Sequence, residues 1–183
     1  MEIEEWELYD RANAPSGRRI MRGEDIPEGY RHMVVHICVF NSGGELLIQR
    51  RQPFKSGWPG MWDVTVGGSA VAGESCRRTA ERELAEEIGY ARSFEGVAPD
   101  ITFTLDGVID NIYIVHGDVD IESLALQPEE VAEVRWASRD EILSMIDSGE
   151  FIPYEKSLIS MLFFLSGHGS LHTRPDSSEN SGR

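Results

Sequence analysis

The stretch "GGSAVAGESCRRTAERELAEEIGY", Gly67–Tyr90, carries a complete helix with its stop and start signals. Ser75 stands where an N-cap is needed, because its hydroxyl can satisfy an N–H of the first turn that has no partner within the helix. Ala80, Leu84 and Ile88 recur every fourth residue and form one apolar stripe facing a core. Gly89 ends the helix. The polar side is odd. Glu83 and Glu87 stack one turn apart and Glu86 borders them. Like charges at this spacing repel by roughly 0.2–0.5 kcal/mol per pair. A bound cation would offset that cost, and several carboxylate oxygens on a rigid element suit Mg²⁺, which keeps its own waters and bridges to substrate phosphates. The competing reading is a solvated acidic face, which is what most charge runs are.

Working outward, "HMVVHICVF" (His32–Phe40) reads as a buried strand, "NSGGE" (Asn41–Glu45) as a turn, and "LLIQRR" (Leu46–Arg51) as a returning strand. A loop rich in Pro, Gly and aromatics follows, and "MWDVTVGG" (Met61–Gly68) is expected to be a third strand running into the helix. Further strands are expected at Ile101–Leu105, Ile109–His116 and Val131–Trp136, and helices at Arg139–Ile146 and Tyr154–Leu165. This order predicts an α/β chain with a mixed sheet flanked by helices. Residues 1–30 carry turn signals at Ala14–Gly17 and Ile26–Gly29 and read as a β arm of the same domain. The main domain is expected over 31–166, and the Gly/Ser-rich tail 167–183 is expected to be disordered.

With 183 residues and 40% hydrophobic content, the chain can bury a real core as one domain. A net charge of −15 argues against nucleic acid or an anionic membrane as the main partner. It leaves a small anionic substrate open, because Arg18, Arg19, Arg22, Arg31, Arg50, Arg51 and Lys55 gather in the first third of the chain. Cys38 and Cys76 make no disulfide framework, so a cytoplasmic setting is expected. "MEIEEWELYD" lacks the apolar core of a signal peptide. The apolar run "LISMLFFL" (Leu158–Leu165) is far shorter than the ~20 residues of a membrane span. It reads as a buried helix, with a homodimer face as the alternative.

Gly68, Glu74, Arg82, Glu83, Glu86, Glu87 and Gly89 reproduce the pattern G-x5-E-x7-R-E-U-x-E-E-x-G-U, where U is aliphatic, and the chain resembles the Nudix hydrolase superfamily. Tyr90, in the last aliphatic place, is the one departure. The resemblance implies an α/β/α sandwich with a central mixed β-sheet, the Nudix fold, and hydrolysis of a diphosphate joined to another group. It implies Mg²⁺, with Mn²⁺ as a substitute, held by Glu83, Glu86 and Glu87, one of them serving as base. The carbonyl of Gly67 or Gly68 would complete the set. Arg82 would hold the glutamates through charge-assisted hydrogen bonds, and Glu74 would bond within the loop and helix. A further glutamate outside the motif is expected from "PEEVAEVRW": Glu130, with Glu129 and Glu133 as rivals.

The segment before the motif, "LLIQRRQPFKSGWPGMW", resembles type I isopentenyl-diphosphate isomerases, which share this fold. That likeness implies that Arg51 and Lys55 hold a diphosphate, and it places His32 where the branch has a metal-binding histidine. The isomerase's own chemistry is missing. Gly67 stands in its cysteine place, Ser69 in its histidine place and Ile112 in its glutamate place, with only Asp110 acidic nearby. Alkene isomerisation needs a proton donor and an acceptor on opposite faces. A hydrolase acting on a small-molecule diphosphate is therefore expected, with an isomerase relative or a non-catalytic ligand-binding module as alternatives. Phe54, Trp58 and Trp62 could stack on a base or simply pack their loop.

Overall fold

A computed structural model describes residues 4–169 and Leu171. Most of the expected tail, residue 170 and residues 172–183, thus lies outside the described residues. In chain order the first strands are β1 (Glu5–Tyr9), β2 (Pro15–Met21), β3 (Arg31–Phe40), β4 (Leu46–Arg51), β5 (Trp62–Asp63) and β6 (Val66–Ser69). Helix α1 (Cys76–Ile88) follows, then β7 (Ile101–Leu105), β8 (Gly107–His116), β9 (Val131–Ala137), α2 (Arg139–Ser148) and α3 (Lys156–Gly167). Among the described residues the nine strands join one mixed sheet.

The sheet is forked. Strands β3 and β4 follow one another but share a single pair, Phe40 with Leu46, at their hairpin end. Below it they part. Strand β3 runs parallel to β8 along its whole length and takes β6 on its other edge. Strand β4 takes β5 and β9. The expected strand Met61–Gly68 is therefore two short strands, because the chain crosses from one arm of the fork to the other at Val64 and Thr65. Thr65 closes the crotch. Its buried hydroxyl donates to the Leu47 carbonyl on β4 and accepts from the Val39 N–H on β3, at 2.9 Å. Thr65→Val keeps the shape but leaves both backbone groups unpaired. It is expected to cost about 1–3 kcal/mol in a denaturant melt.

Helices cover both faces, giving the α/β/α sandwich. On one side Ala80, Leu84 and Ile88 of α1 pack on Val35, Ile37, Val39, Leu47 and Val66. On the other, Ile142, Met145, Ile159 and Leu162 of α2 and α3 pack on Cys38, Phe40, Leu46 and Ile48. The apolar run of α3 is thus partly accounted for by burial against the sheet. No helix among the described residues is long and apolar enough to cross a membrane.

The β1–β2 hairpin joins the sheet where Tyr9 pairs with Arg31. Its turn lies earlier than expected. Asp10 accepts from the N–H groups of Ala12 and Ala14, and Asn13 adopts φ +61°, so Pro15–Gly17 already belongs to β2. An Asx-type turn, in which an aspartate bonds the backbone just ahead of it, outcompetes the Pro-Ser-Gly signal here.

Candidate active site

The local signals of α1 are all used. Ser75 caps the helix by accepting from the Arg78 N–H, and Gly89 leaves it at φ +69°. The apolar stripe clamps the helix to the sheet, so its carboxylates sit at a fixed edge. The glycines before it allow close approach from both sides. A Cβ on Gly68 would fall 2.0 Å from Glu83 Cδ, and one on Gly67 would fall 2.9 Å from the His36 ring. Gly68→Ala is expected to drive Glu83 out of place and cost about 100-fold in turnover, the usual scale for an ångström of misplacement. Steady-state kinetics on the folded variant would check this.

Arg82 gathers the acidic groups. Its Nε and Nη2 donate to the two oxygens of Glu74, both at 3.0 Å. Its Nη1 donates to Glu83 at 2.9 Å and Glu86 at 3.1 Å, and Nη2 also reaches the Ser69 carbonyl at 3.1 Å. Burial pushes the Glu74 carboxyl up, but Arg82, helped by Thr79 and the Val71 N–H, more than offsets it and holds the group below its ordinary value. Glu74 also accepts from Thr79 and the Val71 N–H, so it ties the loop to the helix.

Glu87 is the deepest of the α1 carboxylates, 5% exposed. The buried Gln49 amide donates to it at 2.9 Å. Burial pushes its pKa up to about 8, with Glu83, Glu130 and Asp63 adding repulsion while Gln49 pulls it down. Burial likewise raises Glu83 to about 7 against the pull of Arg82, with Glu86 and Glu4 adding to the rise. Glu86 stays outside, about half exposed.

Glu130 reaches this site through the backbone. The Gln127 N–H bonds the Glu87 carbonyl at 2.8 Å and the Ala125 N–H bonds the Ile88 carbonyl at 3.2 Å, which docks the loop on the last turn of α1. Glu130 then forms an ion pair with Lys55. Two residues expected to serve metal and diphosphate separately thus hold each other. Arg51 donates from Nε to the Gly57 carbonyl at 3.1 Å and lies 3.8 Å from Asp63.

Chemically the residues suit a hard divalent cation. Glu83 and Glu87 are desolvated carboxylates, the charge of Glu83 adds to the rise at Glu87, and Gly68 gives Glu83 room against the backbone. As placed, their oxygens turn to Arg82 and Gln49, and among the described residues no three acidic, His or Cys side chains form a ready-made cage. His32 is engaged elsewhere. It bonds the Gly107 carbonyl at 3.1 Å, stacks on Trp6 at 4.3 Å, and by strand alternation projects to the face opposite α1. Trp62 packs in the α2/α3 core under Arg135, whereas Phe54 and Trp58 are 69% and 50% exposed. Of the isomerase positions, Ile112 is core and Asp110 is bonded to His36 at 2.8 Å.

Sequence reading missed Gln49, Asp63, His36 and Tyr154. A buried polar residue inside an apolar strand, as Gln49 is in "LLIQRR", was the only available signal for any of them.

Comparison with known proteins finds relatives over most of the chain. The NUDIX domain matches residues 30–157. An uncharacterized Nudix hydrolase of Listeria monocytogenes, lmo0368, is 38% identical over 170 residues, covering 93% of this chain and 99% of that protein. The uncharacterized Nudix hydrolase YfcD of Escherichia coli K12 is 33% identical over 145 residues, 76% of this chain and 74% of its own. Among solved structures, DR0079 from Deinococcus radiodurans matches with a TM-score of 0.69 at 25% identity, over 87% of this chain and 97% of that one. The MutT protein of Methanosarcina mazei Go1 shares the fold, with a TM-score of 0.58 at 24% identity over 75% and 96% of the two chains.

Proposed function

Because this chain belongs to the NUDIX domain family, we propose that it is a Mg²⁺-dependent pyrophosphohydrolase that cleaves a small diphosphate compound by attack of water. The observation that carries this is the pair of desolvated carboxylates, Glu83 set against Gly68 and held by Arg82, and Glu87 held by Gln49. Glu83, Glu86 and Glu87, with the Gly68 carbonyl and Glu130, would hold the metal. A divalent ion there would supply charge neutralisation on the diphosphate and a lowered pKa for the attacking water. One of the glutamates takes the proton of that water. Arg51 and Lys55 orient the diphosphate, Lys55 exchanging Glu130 for substrate oxygens. Residues 31–166 form the hydrolase domain and 1–30 its N-terminal arm.

The resemblance to the isomerase branch supports the roles of Arg51 and Lys55 and goes no further, since Gly67, Ser69 and Ile112 offer no acid and base for an alkene. The test is a panel of nucleotide sugars, dinucleotides, nucleoside triphosphates and isopentenyl diphosphate, incubated with Mg²⁺ in ¹⁸O water. Mass spectrometry should show one class cleaved, the label in one phosphate product and no reaction with EDTA present. No cleavage of any compound, with tight binding of one in a parallel melt, would make the chain a ligand sensor instead.

A further inference from the structure

A polar chain crosses the fork of the sheet beneath Gly67. Arg51, at the end of β4, lies 3.8 Å from one oxygen of Asp63 on β5. The other oxygen of Asp63 accepts from the Val64 N–H and from the Tyr154 hydroxyl, both at 2.8 Å. The Tyr154 oxygen lies 3.4 Å from His36 Nε2, and the opposite ring nitrogen of His36 meets Asp110 at 2.8 Å. Four strands and the loop before α3 contribute one residue each, and the charges alternate if His36 is protonated.

We propose that Asp63 is a positioning residue for substrate: it aims the Arg51 guanidinium at the diphosphate, and Tyr154, backed by His36 and Asp110, fixes Asp63 for that task. This deepens the reading above and rests on Arg51 binding the diphosphate. Asp63 is 4% exposed, and a buried carboxylate needs a counter-charge. With Oδ1 engaged by Val64 and Tyr154, Oδ2 is left to Arg51. The Gly57 carbonyl accepts from the same guanidinium at Nε, so one hydrogen bond and one charge contact at different nitrogens bias its orientation. Among the described residues Nη2 of Arg51 makes no hydrogen bond, which leaves it for a phosphate oxygen. Fold stability gives little reason for such a pair, because desolvation cancels most of the attraction of a buried ion pair. Orientation does give a reason, since a pre-aimed guanidinium loses less freedom when it binds.

The experiment measures calorimetric binding of methylenediphosphonate with Mg²⁺ to the full chain and to Arg51→Ala, Asp63→Asn, their double variant and Tyr154→Phe. Arg51→Ala and Asp63→Asn should each weaken binding about tenfold. The double variant should be no weaker than Arg51→Ala alone, because the two act through one contact. Tyr154→Phe should weaken binding severalfold and raise KM with kcat unchanged, which a merely structural loss would not do. Losses that multiply in the double variant, or an Asp63→Asn variant that binds like wild type while Arg51→Ala does not, would overturn the inference alone. Unchanged binding by Arg51→Ala would overturn both the diphosphate role of Arg51 and this inference. Should Asp63→Asn fail to fold, Tyr154→Phe decides in its place: unchanged KM and binding there overturn the proposal.

Discussion

Glu87→Gln is expected to lower kcat by at least about 100-fold, the scale of removing one preorganised charge-stabilising group, while raising the melting temperature of the metal-free protein. The two effects share one cause. Glu87 is buried, and without a metal it must either hold a proton up to about pH 8 or face Glu83, Glu130 and Asp63 as an anion with only an amide as partner. Glutamine keeps the shape and can still bond Gln49, but removes the repulsion and with it the ligand. Function and stability therefore oppose each other at this position.

The pH dependence follows the same logic. Glu87 and Glu83 have folded pKa values of about 8 and about 7, raised from an ordinary value of 4.5. Between those limits the folded protein keeps protons that the unfolded chain has released. Stability from these groups therefore falls as pH rises from about 4.5 to about 8. Melts in EDTA across this window should show the decline in wild type and a shallower one in Glu87→Gln. Added Mg²⁺ should recover stability in wild type far more than in the variant. A wild-type melt that is flat with pH, or a variant that retains turnover, would remove Glu87 from the centre of the site.

Arg82→Ala is expected to cost about 3 kcal/mol, the lower end of what breaking a buried ion pair costs, and to abolish activity. Arg82 satisfies Glu74 at both oxygens, Glu83, Glu86 and the Ser69 carbonyl. Its removal leaves two half-buried carboxylates beside each other and unties the loop from the helix. Arg82→Lys should rescue little, because one ammonium cannot reproduce the bidentate hold on Glu74 while also reaching Glu83. Denaturant melts and turnover measured on both variants would check this. A lysine variant with wild-type turnover would reduce Arg82 to a source of charge alone.

Much of the site was legible in the sequence. The spacing from Gly68 to Gly89 identified the helix, its apolar stripe and the acidic side, and Glu74 and Arg82 make the internal bonds that the resemblance implied. The Met61–Gly68 run was misread as one strand, because nothing local shows that β3 and β4 separate after Phe40 and Leu46. Trp62 illustrates the same limit, since an aromatic residue beside a loop reads alike whether it will stack on a ligand or, as here, pack against a core.

The sequence by itself determined what depends on neighbours along the chain: a capped helix from Ser75 to Gly89, the alternating and continuous apolar runs of β3 and β4, and three glutamates on one side of α1. Those follow from the 3.6- and 2-residue repeats and from capping chemistry. Only the tertiary structure decided that Gln49 meets Glu87, that Lys55 meets Glu130, and that Arg51, Asp63, Tyr154, His36 and Asp110 form one chain. These groups lie far apart in sequence. They converge because two adjacent strands share a single pair before the sheet forks, and polar side chains fill the opening where backbone hydrogen bonds cannot.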